Sequence, residues 1–139
     1  MGDVEAMYYQ VKVCEADTDV LRFLWFDSNR QIVTYRMTSH VFGGVWCSSI
    51  ATYAMRKSIE SIDDEDFVAD TIKRSFYVDD CLASVDNIQD VDKIVVDVKK
   101  VLENGGFRLT KFVVNKEELL EKIDEVDRAK EVKEFSDQS

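Results

Sequence analysis

The stretch from Thr71 to Val85, T-I-K-R-S-F-Y-V-D-D-C-L-A-S-V, constrains the fold of this chain more than any other. Two runs rich in Val, Ile, Leu and aromatic residues flank a single pair of carboxylates, Asp79 and Asp80. Apolar runs broken by two turn-prone residues predict a β-hairpin whose tip carries the acids. Two like charges at a tight bend repel, which destabilises the fold unless a cation sits between them. A divalent metal is one candidate. The bland alternative is a turn dipeptide in an acidic protein, since turn chemistry alone explains Asp.

Composition narrows the classes. The 139 residues fit one domain able to bury a core, and 45% apolar content marks a globular chain. No apolar run approaches the ~20 residues that cross a bilayer. Met-Gly-Asp-Val-Glu lacks the basic and apolar regions of a signal peptide, and Ala6 fails the myristoylation pattern. An intracellular, cytoplasmic chain with no membrane partner is the expectation. Cys14, Cys47 and Cys81 are widely spaced and His40 is the single histidine, which argues against a structural zinc site or a disulfide framework. The cysteines are expected to be small buried hydrophobes, and His40 a loop or surface residue. A formal charge of −10 has the wrong sign for gripping phosphates. It excludes strong autonomous nucleic-acid binding but leaves room for an acidic metal centre.

Around the central stretch, Arg22–Phe26, a turn at Asp27–Arg30 and Gln31–Met37 read as strand, turn, strand, with Trp25 and Tyr35 on buried sheet faces. Phe42-Gly43-Gly44 feeds a helix over Val45 to Lys57, with Ser48 or Ser49 as N-cap. Ser61 to Asp66 is a solvated acidic loop; a calcium-loop reading fails because Arg74 stands at the twelfth position from Asp63. Asp86 or Asn87 opens a helix in which Ile88, Val91, Ile94, Val95, Val98 and Leu102 recur at helical spacing until Asn104-Gly105-Gly106 stops it. Phe107–Val114 reads as a strand. A charged helix then carries Leu119, Leu120, Ile123, Val126 and Ala129 on one side. The fold class predicted is α+β, an antiparallel sheet with helices packed on one face, as a single domain over 1–139 with a frayed tail near 134–139. Asp3 reads equally as a helix N-cap and Tyr8 as a core residue.

Phe76-Tyr77-Val78-Asp79-Asp80 resembles the YxDD signature of reverse transcriptases, and other segments fall in that family's order. Asp3, with Tyr8 five residues on, resembles motif A. Leu21–Trp25 and Tyr35–Thr38 are close to the palm of Bel/Pao-type LTR retrotransposons, Phe42-Gly43 resembles motif B, and Gly105–Lys111 the motif D region. The match spans roughly Asp3 to Lys133. The resemblance implies a palm-like fold in which the motif A strand pairs beside the hairpin. It implies RNA-directed DNA polymerase chemistry: nucleotidyl transfer by two Mg2+ (or Mn2+) ions ~3.5–4 Å apart, stabilising the attacking and leaving oxygens. Asp3, Asp79 and Asp80 become the catalytic, metal-binding acids. Tyr8 becomes the steric gate against a ribose 2′-hydroxyl, with Phe42, Gly43, Tyr77 and Lys111 near the nucleotide. Partners are an RNA or DNA template-primer and a dNTP.

The chain also departs from that pattern. Trp46, Cys47 and Ser48 stand where relatives carry a small-small-proline step, and the chain has no proline. Fingers, thumb, connection and RNase H regions are not among these residues. The expectation is therefore a polymerase palm fragment, inactive as an isolated chain and weak or silent toward nucleic acid. The competing classes are a non-enzymatic retroelement remnant acting as an acidic interaction module, and a magnesium-dependent phosphatase or nuclease built on paired Asp.

Overall fold

The structure is a computed structural model and describes residues 1–63 and 66–130. The expected frayed tail, the end of the span that resembles the palm (131–133), and Asp64 and Glu65 of the acidic loop lie outside the described residues. The chain divides into two compact units, one made of Met1–Glu5 with the chain from Met55, the other of Ala6–Ala54.

The first unit is α+β. Its strands β1 (Gly2–Val4), β4 (Phe76–Tyr77), β5 (Asp80–Cys81) and β6 (Leu109–Thr110) form a four-stranded sheet in the order β4-β5-β1-β6. Each neighbouring pair is antiparallel. The coarse expectation of an α+β chain with an antiparallel sheet is met. Val4, Cys81 and Leu109 are buried from the sheet, as are Ile72, Val98 and Leu102 from the helices.

The sequence places the hairpin's first arm from Thr71, whereas Phe67–Arg74 is helix α2. Asp66 caps it by accepting the Val68 N–H at 2.7 Å. Ala69 and Ile72 then fall three apart on the buried side, a helical period that outweighs the β preference of the run. Only Phe76–Tyr77 is left for β4.

The helix opened at Asn87 runs as α3 (Ile88–Lys93), a π-helical turn (Ile94–Val98) and α4 (Lys99–Asn104). Asn87, one of the two residues expected to open the helix, occupies the N-cap without a capping bond from its side chain. A spacing of four overshoots an α turn and falls short of a π turn, so one of each keeps Ile94, Val98 and Leu102 in line. All three are buried. The helix stops where predicted: the Phe107 N–H reaches the Leu102 carbonyl at 2.8 Å and the Gly106 N–H reaches Glu103 at 2.9 Å. This Schellman closure needs the left-handed backbone found at Gly106, φ +85°.

The long charged helix expected after Asn115 is not observed. Residues Glu117–Leu120 form the short α5, and Glu125–Asp127 a 3-10 turn. Val126, assigned to the apolar side, is exposed. Asp127 instead turns inward, and its demand for cations overrides the helical pattern (below).

In the second unit, β2 (Arg22–Phe26) and β3 (Ile32–Arg36) pair over five residues as a two-stranded ribbon. Asp27 Oδ1 closes the turn by accepting the N–H groups of Asn29 at 2.9 Å and Gln31 at 2.8 Å. Trp25 and Tyr35 are exposed at 65% and 41%, not buried as expected. A ribbon of two strands has two faces, and neither is covered. Its own aromatic contacts are the stack of Phe23 on Tyr35, with centroids 5.7 Å apart, and the edge-on approach of Trp25 to Phe26 at 6.2 Å. Helix α1 (Cys47–Lys57) begins before Ser48 and Ser49, so neither is its N-cap. His40 is buried, contrary to expectation, with its Nδ1 3.9 Å from the buried Cys47 Sγ. Cys47 and Cys81 are buried as expected, while Cys14 is exposed because it precedes a surface 3-10 segment, Glu15–Leu21.

Candidate acidic site on the four-stranded sheet

The sheet register assembles the acids. Asp3 on β1 is directly opposite Asp80 on β5, and Asp80 is directly opposite Tyr77 on β4. On its other side Asp3 is opposite Thr110 on β6. Directly paired residues project from the same face of a sheet. Tyr77, Asp80, Asp3 and Thr110 thus form one row across four strands, with buried Val4, Cys81 and Leu109 on the other parity. The expected adjacency of the Asp3 strand to the hairpin is observed.

The hairpin tip differs from the prediction in one respect. Tyr77 pairs with Asp80, so the two-residue loop is Val78-Asp79 and Asp80 belongs to the strand. The Asp79 carbonyl accepts the Val4 N–H at 2.8 Å, tying the tip to β1. Val78 sits at φ +56°. Two-residue hairpin loops require positive φ to match the strand twist, and a β-branched residue adopts it only under strain, of about 1–3 kcal/mol.

A second strained residue borders Asp3. Met1 and Val113 exchange hydrogen bonds of 2.7 and 2.8 Å, while Asp3 pairs with Thr110. Lys111 and Phe112 therefore stand against the single residue Gly2, which defines a β-bulge. Lys111, at φ +52°, occupies the left-handed position normally given to glycine. This explains why β6 is shorter than the predicted strand. Gly2 fits beneath because a Cβ there would come within 3.3 Å of Leu109 and 3.4 Å of Phe112.

The bulge aims Lys111. Its Nζ lies 3.0 Å from Asp3 Oδ1, with the Lys111 side chain 61% exposed and that of Asp3 26% exposed. The hydrogen bond to Asp3, then the charges of Asp3, Glu5 and Asp79, hold the Lys111 ammonium above its ordinary range. Lysine is thus the cation that relieves the like-charge opposition of Asp3 and Asp80, a repulsion worth about 0.2–1 kcal/mol across a ladder. Among the described residues, no three His, Cys, Asp or Glu side chains are already gathered as a metal cage. The donors fit magnesium by chemistry: hard carboxylate oxygens, few in number, partly open to water. On the core side, burial pushes the Cys81 thiol up to about 11, so it is not a nucleophile at neutral pH.

A further carboxylate escaped the sequence reading. Asp127 is buried, 3.1 Å from the Thr110 hydroxyl, 2.8 Å from Arg108 and 2.5 Å from Lys99. Burial raises its pKa, but the hydrogen bonds from Lys99 and Arg108 outweigh that and hold it below the usual carboxylate value. Its partners are scattered from Lys99 to Thr110, so no local spacing advertises the cluster.

Tyr8, Phe42 and Gly43 belong to the second unit and come together within it. Tyr8, on the 3-10 turn Met7–Gln10, shares a hydrogen bond of 2.9 Å with Ser48 Oγ and meets the Phe42 ring edge-on at 5.9 Å. Phe42 is exposed, and Gly43 follows at φ +97°. Trp46 is 47% exposed. Among the described residues, no helix is long and apolar enough to cross a membrane. Compared with family models, with curated proteins and with solved structures, the chain matches none of them.

Proposed function

We propose that Asp3, Asp79 and Asp80 are the metal-binding acids of a nucleotidyl-transfer site, and that the chain is a palm fragment of a retrotransposon reverse transcriptase. The observation that carries this reading is the direct opposition of Asp3 and Asp80, far apart in sequence, beside a strained tip bearing Asp79. Strained backbone gathers where geometry is held for a purpose. Here Val78 and Lys111 strain the chain on both sides of the same strand.

In this reading Asp3 and Asp79 are the principal ligands of two Mg2+ or Mn2+ ions, and Asp80 assists. When bound, the metal pair supplies charge stabilisation for the attacking and leaving oxygens of an in-line displacement. Lys111 exchanges Asp3 for the triphosphate of a dNTP. Tyr77 borders the acids on the exposed face. The charge of −10 keeps the chain from holding a template-primer alone, so it is inactive in isolation.

The test is calorimetric titration with Mn2+, with primer extension on an RNA template alongside. Saturable Mn2+ binding that is lost in both Asp3→Asn and Asp79→Asn is expected. Binding unchanged by either substitution, or primer extension that is measurable and equal in the chain and its Asp79→Asn variant, refutes the assignment, whereas extension by neither is the outcome of a fragment inactive in isolation. The second reading, an acidic interaction module without catalysis, is favoured by the Lys111–Asp3 ion pair, which already neutralises the site. It predicts no Mn2+ binding even after Lys111→Ala.

A further inference from the structure

We infer that the ribbon of the second unit is a self-association surface: the outer edge of β2 pairs antiparallel with the same edge of a second copy of this chain, about a two-fold axis at Leu24. The ribbon's own bonds set which groups are free. The Met37 N–H reaches the Leu21 carbonyl at 3.1 Å and the Asp27 N–H reaches the Gln31 carbonyl at 2.9 Å. Hydrogen-bonded pairs recur at every second residue, so Phe23 and Trp25 also bond inward, while Arg22, Leu24 and Phe26 turn their main-chain groups outward. Among the described residues, those three make no backbone hydrogen bond to any other segment. The outer edge of β3 is not equivalent. Past Arg36 its line is already taken, because Val13 donates its N–H to the Thr38 carbonyl at 2.9 Å. Past Arg22, among the described residues, no segment bonds to β2 in that way, and Val20 is exposed. An apolar edge with no proline, lysine or bulge to blunt it is a template for another strand.

Pairing all five residues of β2 fixes the register. With Leu24 opposite its own copy, Arg22 is opposite Phe26 of the second copy, and Phe23 is opposite Trp25 in the close, non-hydrogen-bonded positions. A shift by two residues either way leaves only three residues of β2 paired. The two-fold axis makes each contact twice, giving two aromatic pairs and two guanidinium groups beside rings. Trp25 and Phe26 hold their rings 6.2 Å apart, a contact that the cross-copy pair with Phe23 replaces. Electrostatics do not oppose the match. Residues 6–54 carry four basic and four acidic side chains, a net charge of zero, so the whole of the −10 lies in the other unit. The base of each ribbon, where Arg22 and Arg36 share Asp19, comes beside the Asp27 tip of the other. The four apolar side chains of β2 are 43% to 66% exposed. At about 200 Å² for a whole side chain they offer about 450 Å² per copy. The two copies together bury about 900 Å², the size of a weak, reversible dimer.

Sedimentation equilibrium of the full chain should show monomer and dimer exchanging with concentration. Leu24→Lys sets two ammonium groups against each other on the axis and should raise the dissociation constant about tenfold or more. Leu24 is exposed, so the far-ultraviolet spectrum of the monomer should not change. Mixing the Leu24→Lys chain with the Leu24→Asp chain should restore the dimer, because only an axis at this residue brings position 24 against itself. Thr34→Lys, the same change at the centre of β3, should leave association as it is. A chain that stays monomeric up to about 1 mM, association unaffected by Leu24→Lys, a mixture that stays monomeric, or loss of the dimer in Thr34→Lys overturns the proposal. Growth beyond the dimer with rising concentration also overturns it, in favour of pairing along both edges.

Discussion

Asp3 and Asp127 are both aspartates held by lysine within one unit, yet they are built for opposite ends. Asp127 is buried with Lys99, Arg108 and Thr110 about it, three partners on one carboxylate. Asp3 is half open, is held by the single exposed Lys111, and faces a second acid across the ladder. A buried carboxylate held by three donors is expensive to disturb and has little left to offer a ligand. An exposed ion pair is worth little and exchanges readily. The contrast separates a structural clamp from a loosely held surface ion pair.

Removing the clamp should produce the largest effect. Asp127→Ala leaves Lys99 and Arg108 facing a buried gap, and the loss should be about 3 kcal/mol in urea denaturation, below that of a wholly dry pair because Arg108 is half exposed. A drop under 0.5 kcal/mol, on the order of a surface pair, would erase the distinction drawn here. Acid should act on the same residue. Because its folded pKa lies below the ordinary 3.8, Asp127 stabilises the fold fully above that value. That contribution is lost as pH falls from 3.8 through the folded pKa. The urea midpoint of the native chain should therefore fall more steeply below pH 4 than that of Asp127→Asn.

Smaller effects belong to the open site. Val78→Gly removes a β-branched side chain from a left-handed loop position and should raise stability by about 1 kcal/mol in thermal melts. A loss instead would mean that the tip is not strained. Lys111→Ala should change stability by less than about 0.5 kcal/mol. The same variant should bind Mn2+ several-fold more tightly by calorimetry, because its ammonium no longer competes for Asp3. If Lys111→Ala costs as much as Asp127→Ala, Asp3 is a clamp as well and the comparison collapses.

How much of this was legible varies with how local the cause is. The stop of the helix at Gly105-Gly106 and the turn at Asp27–Arg30 depend on residues a few positions apart, and both were readable. Thr71–Arg74 read as the start of a hairpin arm but close the helix Phe67–Arg74. Its β-rich residues look like a strand until the Asp66 cap and the burial of Ala69 and Ile72 are known. Arg22–Phe26 has the strongest strand signal in the chain and forms a strand, but its exposure was not predictable. Propensity sets backbone conformation, whereas burial depends on whether another layer arrives.

The sequence by itself determined the turn chemistry, the helix end at Gly106 and the presence of acids at positions 3, 79 and 80. Those follow from backbone sterics and side-chain type, which act over a few bonds. Only the tertiary structure decided that Asp3 lies opposite Asp80, that Lys111 bulges onto Asp3, and that Asp127 is locked away. Each of these depends on strand register or on partners brought from distant segments. A shift of one residue in the pairing of β1 would send Asp3 to the other face of the sheet, away from Asp80.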